Sequence, residues 1–356
     1  MSGWRDRRIL DLFGIATPIV QAPMAGAQGS ALAIAVGEAG GLGSLPCALL
    51  SVGKADEEIR AVRSATDKPL NLNFFCHKPP RLDAEREARW RLALRDAYAA
   101  LGLDPEQRLE SANRAPFDQA YCDLVEQFRP EVVSFHFGLP ERALLDRVRA
   151  AGARIVASAT TVAEAVWLEA RGCDAIIAQG YEAGGHRGIF LSEDVAMQPG
   201  TMALVPQVVD AVDVPVIAAG GIADARGIAA ALILGASAAQ LGTAYLFCPE
   251  AAISPLYREA LAQARDDGTV LTNVFSGRPA RGIANKFVRA VGPLSDAAPD
   301  FPLAGAAVAP LRRASESRGS TDFMQMWSGQ AARLGRALPA AELTRRLTEE
   351  TLALIG

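Results

Sequence analysis

Short apolar segments alternate along this chain with longer amphipathic or alanine-rich stretches, from about residue 18 to residue 245. Short apolar runs bounded by glycine or polar residues are typical of strands buried in a parallel sheet. The stretches between them have the length and periodicity of helices. Eight strands are predicted in this way, at 19–24, 42–45, 70–75, 132–137, 154–158, 175–179, 214–219 and 238–241.

Eight successive strand–helix units predict the α/β class and, within it, a (β/α)8 TIM barrel. Between the third and fourth strands the chain is longer than one connection requires, so residues 79–116 are interpreted as a helical insertion. After Cys248 the alternation stops, and the segments 249–267 and 301–356 have helical patterns. We therefore predict a barrel over residues 1–248 and a mostly helical C-terminal extension over 249–356, which packs on the barrel as a lid.

Composition narrows the class of protein without identifying it. The chain has 356 residues, 50% of them hydrophobic, which is enough for one large α/β domain with an appendage. A net charge of -4 provides no basic surface for nucleic acid or anionic lipid. The N-terminal residues lack the apolar core of a signal peptide, and no apolar run has the length of a membrane span. A cytoplasmic protein is expected, with neither a nucleic-acid nor a membrane partner.

Cysteine and histidine usage argues against a metal site. The five cysteines are scattered and include no CxxC pair, so neither a disulfide framework nor a zinc site is predicted. The three histidines, His77, His136 and His186, have no carboxylate or thiol at ligand spacing. We expect reduced thiols and no bound metal.

Polar residues and glycines follow the predicted strands at their carboxyl ends, where a barrel carries its chemistry. After the last two strands, bare backbone amides are in the position at which barrels commonly hold a phosphate. Asn73, Gln179 and Gln240 are amides that both donate and accept hydrogen bonds, as the edge of an isoalloxazine ring requires. No GxGxxG follows a strand, which disfavours a Rossmann dinucleotide site. The residues at these strand ends are Met24, Asn73, His136, Gln179, Gly220, Gly221, Gln240, Gly242 and Thr243.

The stretch QGYEAGGHRG, residues 179–188, is the most distinctive of these strand ends. Its glycines allow the backbone to approach a flat or phosphorylated ligand closely, although an ordinary βα turn is the alternative. The glycines after the last two strands could similarly serve helix packing alone, and buried amides can satisfy one another. His136 could be a core histidine held by backbone groups, but nothing structural requires an ionisable residue there. His186, within the stretch, is a weaker candidate for contact with a substrate.

Together these residues resemble the first class of FMN-dependent nitronate monooxygenases, formerly called 2-nitropropane dioxygenases. The resemblance covers nearly the whole chain, to about residue 330, and its SFHFG and EAGGHRG segments are fairly specific. The AAGGI and QLGT segments are shared with other FMN barrels. The matching segments are PIVQAPMAG at 18–26, KPLNLNFF at 68–75, SFHFG at 134–138, AQGYEAGGHRG at 178–188, AAGGIADARG at 218–227, AAQLGTAYLFCPE at 238–250, and SGRPARGIANK and FMQMWSGQ further on.

The resemblance implies a function and a set of site residues. Members of the family oxidise alkyl nitronates with O2 to a carbonyl compound and nitrite, without NAD(P)H. Propionate 3-nitronate is the physiological substrate usually assigned to them. His136 is the implied catalytic residue and FMN the implied cofactor. The residues implied to bind FMN are Met24, Asn73, Gln179, Gly184, Gly220, Gly221, Gln240, Leu241, Gly242 and Thr243.

Two other functions stay open on sequence grounds. One is an NAD(P)H-dependent FMN reductase of quinones or enoyl thioesters on the same barrel, and the other is a barrel that binds flavin without catalysis. Arg278, Arg281 and Lys286 lie in a polar, glycine-containing segment beyond the barrel, where any of them is a candidate to attract a substrate carboxylate. Exposed, solubilising charge is the alternative for these three residues. The sequence also leaves open whether the protein is a monomer or a homodimer.

Overall fold

The computed structural model of the protein describes residues 3–107 and 115–356. The strands in these ranges are β1 (Ile19–Gln21), β2 (Gly43–Pro46), β3 (Leu70–Phe75), β4 (Val132–His136), β5 (Arg154–Ala159), β6 (Ala175–Gln179), β7 (Gly185–His186), β8 (Val216–Ala219), β9 (Ala238–Leu241), β10 (Thr269–Thr272) and β11 (Ala280–Ile283).

In the described ranges, eight of these strands form one parallel sheet in the order β1-β9-β8-β6-β5-β4-β3-β2. The two ends of that order meet, because Leu42, just before β2, forms a parallel bridge with Val20 of β1. The sheet is therefore closed on itself, and the predicted (β/α)8 barrel is confirmed.

The alternation of residues along β3 shows how the barrel separates its two faces. Its leucines and Phe74 belong to the large apolar cluster between the strands and the surrounding helices. Asn71 and Asn73 lie on the opposite face, as the period of two along a strand requires. Asn73 Nδ2 donates to Ser134 Oγ on the neighbouring strand at 3.0 Å. The pattern therefore places polar amides inside the barrel, with Asn73 nearer the carboxyl end.

Helices follow the strands and cover the outside of the barrel. No helix in the described ranges combines the length and apolarity that a membrane crossing needs. The helices are α1 (Arg8–Phe13), α2 (Ser30–Glu38), α3 (Val52–Ala65), α4 (Ala84–Ala100), α5 (Gln119–Phe128), α6 (Arg142–Ala150), α7 (Val162–Glu169), α8 (Thr201–Val209), α9 (Ala225–Ile233), α10 (Thr243–Leu246), α11 (Pro255–Ala262), α12 (Lys286–Val291), α13 (Ala304–Glu316) and α14 (Ala340–Ile355).

Side-chain caps explain where several of these helices begin. Ser51, Asp83, Asp118, Thr161 and Asp224 each accept a hydrogen bond from a backbone N–H two or three residues further on. Such a bond satisfies one of the donors that a helix leaves unpaired in its first turn.

The last helix returns to the barrel. α14 packs against both α2 and α9, so it covers the side of the barrel near the chain's first strand. Leu343 and Leu347 are fully buried in the apolar cluster shared by the barrel strands and helices. Between them, Thr344 Oγ1 lies 2.8 Å from the hydroxyl of Tyr245. The apolar face of α14 is therefore part of the barrel core.

The helix of the predicted insertion packs on the C-terminal region. α4 contacts α13, where Trp90 Nε1 donates to the carbonyl of Ala304 at 3.2 Å and the Tyr98 hydroxyl to that of Ala307 at 2.7 Å. An apolar cluster of aromatic and aliphatic side chains from both regions surrounds these bonds. Residues 108–114 of the predicted insertion lie outside the described residues.

A small antiparallel sheet connects the C-terminal region to the glycine-rich stretch. β10 pairs with β11, and β11 pairs with β7, which lies within residues 179–188. The sequence pattern does not predict this sheet, because its strands have two to four residues and the middle one is ARGI, in a polar segment. Backbone pairing thus holds the glycine-rich stretch from the side opposite the barrel.

Candidate active site

A cavity of about 370 Å³ lies at the carboxyl ends of the barrel strands. Its walls come from the loops after the strands and from the C-terminal region, including Arg312, Trp327 and Gly329. The residues predicted from the sequence that line it are Met24, Asn73, His136, Gln179, Gly184, His186, Gly220, Gly221, Gln240, Gly242 and Thr243.

Four of the candidates from the sequence are not on the cavity wall, namely Leu241, Arg278, Arg281 and Lys286. Leu241 is fully buried in the core between strands and helices. Lys286 is largely exposed, and its ammonium nitrogen lies 3.9 Å from a carboxylate oxygen of Asp322. The structure therefore does not bring Lys286 to the other candidates.

His136 is the last residue of β4, and both of its ring nitrogens have a protein partner. Nε2 lies 3.1 Å from the carbonyl oxygen of His186, and Nδ1 lies 3.1 Å from Ser158 Oγ. The ring is partly buried at the cavity wall, and desolvation there lowers the pKa of His136 to about 4. The positive charges of Arg278 and Arg187 lower it further, whereas the hydrogen bond to His186 opposes the shift. The imidazole is therefore neutral at neutral pH.

The amide of Gln179 holds the glycine-rich stretch in place. Its Oε1 accepts from the N–H of Gly188 at 2.8 Å, and its Nε2 donates to the carbonyl of His186 at 3.0 Å. Beneath it, the fully buried Arg187 donates to the backbone carbonyls of Gln179 and Gly180 at 2.8 and 2.6 Å. The stretch is thus tied back onto the end of β6 by both an amide and a guanidinium.

Two carboxylates fix the loops that flank this stretch. Glu164 accepts hydrogen bonds from the N–H groups of Phe190 and Thr160, at 2.6 and 2.7 Å. Glu182 accepts from the N–H and the hydroxyl of Thr201, both at 2.8 Å. Because each acid satisfies backbone donors, both carboxylates have a structural explanation and need no catalytic one.

Three arginines near the cavity, two of them buried and Arg278 partly buried, have no ion pair with an acid among the described residues. Arg187, Arg278 and Arg281 donate to backbone carbonyls and neutral side chains, and the Arg278 guanidinium stacks 4.1 Å from the ring centre of Phe137. Burial lowers the pKa values of Arg187 and Arg278 to about 10, which leaves both charged at neutral pH. Glu164 and Glu182 interact with this group of arginines through space, and the charges of Arg187 and Arg278 act on His136.

Aromatic side chains pack around His136 and His186, the two histidines that line the cavity. Phe137 follows His136 with φ 71°, a backbone conformation that is costly for a bulky side chain and is found mostly at functional sites. This conformation places the Phe137 ring 4.5 Å from that of His136 and 5.9 Å from that of His186. His186 Nε2 lies 2.9 Å from Ser276 Oγ, and its ring lies 5.4 Å from that of Trp327. His186 is therefore positioned by its neighbours as well as exposed to the cavity.

Glycine backbone and amide side chains contribute the polar part of the remaining cavity wall. Gln240 Oε1 is buried and has no hydrogen-bond partner among the described residues. Gly220 and Gly221 have φ values of 111° and 70°, which L side chains rarely adopt. A Cβ on Gly184 would lie 2.5 Å from the backbone nitrogen of Gly329, so only glycine fits there. The wall thus offers bare backbone and one unused acceptor.

Sequence reasoning missed Ser158 and Arg312, which both line the cavity. Ser158 lies near the end of a predicted strand, so the rule that chemistry follows strand ends could have found it. No local signal marks Arg312, because it is one of several arginines on amphipathic helices of the C-terminal region. Among the described residues no group of His, Cys, Asp and Glu side chains is arranged to hold a metal ion.

A closed (β/α)8 barrel with a cavity at the carboxyl ends of its strands, an imidazole on the wall and an unused amide acceptor defines a barrel enzyme. The family model described as nitronate monooxygenase matches residues 6–350. The chain therefore belongs to the nitronate monooxygenase family of oxidoreductases, which are typically flavin-dependent and act on nitronates.

Individual relatives agree with this assignment. The chain is 46% identical to a nitronate monooxygenase of Pseudomonas aeruginosa over 345 residues, which are 96% of this chain and 98% of that protein. A nitroalkane oxidase from Streptomyces ansochromogenes superposes with a TM-score of 0.86 at 38% identity, over 97% of both chains. FabK from Thermotoga maritima superposes with a TM-score of 0.72 at 27% identity, over 99% of this chain and 97% of that one.

Proposed function

We propose that this protein uses FMN to oxidise alkyl nitronates with O2 to a carbonyl compound and nitrite, and that propionate 3-nitronate is its substrate. The observation that carries the proposal is the position of His136 on the wall of a mostly apolar cavity that also carries several glycines and the amides of Asn73, Gln179 and Gln240. A flat, polar-edged cofactor suits such a wall, and a neutral imidazole beside it suits proton transfer.

The residues present fit the flavin ring. Gln240 Oε1 is an unused buried acceptor, and a buried polar atom is rarely left without a partner in a native protein. A ring N–H of FMN would satisfy it. Asn73 lines the same cavity and donates from Nδ2 to Ser134, which leaves its Oδ1 as a further acceptor. Met24 would contact the ring, whereas Gln179 would act through the stretch that its amide holds.

The glycine loops fit the phosphate of FMN. The loops after β8 and β9 contain Gly220, Gly221, Gly242 and Thr243, and barrels commonly hold a phosphate at these positions. Gly184 approaches the same space from the loop after β6. Because these loops provide a position for a single phosphate, they support FMN and not a dinucleotide as the cofactor. We expect the protein to purify with FMN bound.

Bound FMN would supply the centre that accepts electrons from the nitronate and passes them on to O2. The chain itself binds and orients the substrate. The positively charged Arg187, Arg278 and Arg281 would favour an anionic nitronate over a neutral molecule, because charges act strongly where water is excluded. His136, neutral at neutral pH, is the base available to a substrate that still carries its α-proton.

The structure favours Arg312 over the arginines and lysine of residues 278–286 as the partner of a substrate carboxylate. Arg312 lines the cavity from α13, and its Nε lies 3.8 Å from Glu316 Oε1, a loose ion pair that leaves donors free. Arg278 and Arg281 are committed to protein carbonyls. Lys286 does not line the cavity.

We expect Arg312→Gln to lower kcat/KM for propionate 3-nitronate about 10-fold, the loss of one charge-assisted hydrogen bond. On ethyl nitronate, which has no carboxylate, the loss should be below about 2-fold. Steady-state oxygen uptake with both substrates measures this. Lys286→Gln, which makes the same change of charge away from the cavity, is the control. Equal losses on the two substrates in Arg312→Gln would contradict the carboxylate role.

The experiment that tests the function is purification without added flavin, followed by a visible spectrum. Oxygen uptake and nitrite release are then recorded with propionate 3-nitronate. A yellow protein that releases nitrite as it consumes O2 supports the proposal. Anaerobic bleaching of the flavin by NADH at a catalytic rate would instead favour a reductase of quinones or enoyl thioesters, and bound flavin with neither activity would indicate a non-catalytic barrel.

The C-terminal region would serve as the cover of the site. β11 pairs with β7 beside His186, and Trp327, Met324 and Arg312 line the cavity from that side. In this proposal residues 249–356 form a lid region over the barrel of residues 1–248, with α14 anchored on the barrel itself. Limited proteolysis with and without propionate 3-nitronate would report whether this region closes on substrate.

A further inference from the structure

Both ring nitrogens of His136 are engaged by protein groups, so neither offers a free lone pair to the cavity. Nε2 is 3.1 Å from the carbonyl oxygen of His186, and Nδ1 is 3.1 Å from Ser158 Oγ. A base must offer a lone pair to the proton that it takes, so the direction of that lone pair decides which group meets the substrate.

The protonation of the ring follows from its partners. A carbonyl oxygen only accepts hydrogen bonds, so Nε2 of His136 carries the proton that is donated to His186. Gln179 donates to the same carbonyl, and its orientation is fixed because Gly188 N–H must donate to its oxygen. Nδ1 of the neutral imidazole is therefore the lone-pair nitrogen, and the Ser158 hydroxyl donates to it.

The ring is held in this orientation by close packing. A Cβ on Gly188 would lie 3.0 Å from His136 Cε1 and 3.1 Å from the Cβ of Ser158, so the backbone of Gly188 closes against both side chains. On the other side the ring of Phe137 is 4.5 Å away and that of Phe75 is 5.8 Å away. Turning Nδ1 away from Ser158 would break two hydrogen bonds within this packing.

Ser158 occupies that lone pair with its hydroxyl and also lines the cavity. It is the fifth residue of β5, 7% exposed, and it lines the cavity wall together with His136. We infer that the Ser158 hydroxyl is the group that takes the α-proton from a neutral nitroalkane and passes its own proton to Nδ1 of His136. A histidine within hydrogen-bond reach of a serine hydroxyl is the usual arrangement by which that hydroxyl gives up its proton.

The step is balanced within the protein and substrate. The substrate C–H bond breaks and its electron pair stays on the substrate, which becomes the nitronate anion. A new O–H bond forms on Ser158 as its original O–H bond breaks, and a new N–H bond forms on Nδ1. His136 becomes an imidazolium with Nε2–H still donated to His186, and the nitronate remains in the cavity.

This inference rests on the proposed function and extends its substrates to neutral nitroalkanes. A nitronate has already lost the proton, so Ser158 should matter only for the nitroalkane. We expect Ser158→Ala to lower kcat/KM for nitroethane about 10-fold to 100-fold. The loss of kcat/KM for ethyl nitronate should be several-fold smaller than the loss for nitroethane, because that substrate has no α-proton to transfer. Ser158→Thr, which keeps the hydroxyl, should retain most of the nitroethane activity, and Ser237→Ala, a buried hydroxyl outside the cavity, is the control.

Isotope effects separate the relay from direct abstraction by His136. Both routes give slower oxidation of α-deuterated nitroethane, but only the relay moves an exchangeable proton in the same step. Wild-type oxidation of freshly dissolved nitroethane should therefore be about 2-fold slower in D2O, and the solvent effect should be absent from Ser158→Ala. Flavin content and the rate on ethyl nitronate confirm that each variant is folded.

Three results would overturn the relay. They are an unchanged nitroethane rate in Ser158→Ala, a substrate isotope effect in the wild type without a solvent isotope effect, and a wild type that oxidises ethyl nitronate but is inert toward nitroethane. Failure of the proposed function is a different result, because the wild type would then consume no O2 with ethyl nitronate or propionate 3-nitronate.

Discussion

His136→Asn is expected to lose about 10²-fold to 10⁴-fold in kcat/KM on nitroethane while keeping most of its activity on ethyl nitronate. The reason is that only the nitroalkane must give up a proton before it can be oxidised. Asparagine can hydrogen-bond, but it has no lone pair of comparable basicity. The smaller loss on ethyl nitronate would reflect hydrogen bonding and packing alone. Oxygen uptake with freshly diluted substrates measures both losses.

The pH dependence of the wild type should report the buried state of His136. The base is active when neutral, so the nitroethane rate should rise with pH through the lowered pKa of about 4 and stay level from about pH 5.5 upward. An unperturbed histidine would place that rise near pH 6.5. His136→Asn should lack the rise altogether.

His77→Asn provides the control, since it removes a buried imidazole that does not line the cavity. If His136→Asn loses both activities equally with its flavin still bound, the base role is wrong. His136 would then orient the substrate or stabilise charge in the cavity.

Gly242→Val is expected to abolish FMN retention, with binding at least about 100-fold weaker, which corresponds to about 3 kcal/mol of overlap. A Cβ at this position lies 3.5 Å from the Cβ of Ala22 and 3.8 Å from Sδ of Met24, which are ordinary contacts. The backbone φ is -108°, so this position does not need the left-handed region that favours glycine. An added side chain meets no close backbone contact and would occupy space on the cavity wall assigned to the cofactor.

The same substitution at Gly221 is a less clear test, although it should also abolish flavin retention. Gly221 has φ 70°, and a Cβ there would lie 3.2 Å from the Cβ of Glu182. Valine would strain the backbone itself, so a loss of FMN could follow from local distortion. Gly242→Val distinguishes loss of the cofactor space from distortion of the backbone, because Gly242 does not have a positive φ.

Gly53→Val, on the exposed start of α3, is the matched control, because an added Cβ there meets nothing within 4 Å. Flavin per chain is measured from absorbance after gel filtration, and circular dichroism verifies the fold. Stoichiometric FMN in Gly242→Val would remove this loop from the cofactor site.

The barrel could be predicted from sequence because its determinants are local. Each strand is a short apolar run and each connection has a helical period, so neither requires knowledge of distant residues. Strand ends in a barrel converge on one face, which made Asn73, His136 and Gln240 candidates before any contact was known. Leu241 was included only as a member of the matching motif, and it lies in the core.

The tertiary structure decided the protonation of His136 and which distant residues contact the site. The lowered pKa of His136 comes from burial and from Arg278 and Arg187, of which Arg278 lies far from it in sequence. The pairing of β11 with β7 joins a polar C-terminal segment to the glycine-rich stretch, and such short strands have no signal of their own. Arg312 could not be distinguished by pattern from the solvent-facing arginines of other helices.

The sequence by itself determined the class of fold, the strand ends at which the candidate residues lie and His136 as one ionisable candidate among them. Only the tertiary structure decided which nitrogen of that imidazole holds the proton, that Ser158 is its partner and that Arg312, not Lys286, reaches the cavity. The physical reason is that apolar periodicity is a property of neighbouring residues. Desolvation and hydrogen-bond direction depend instead on groups that meet only when the barrel closes and the C-terminal region packs over it.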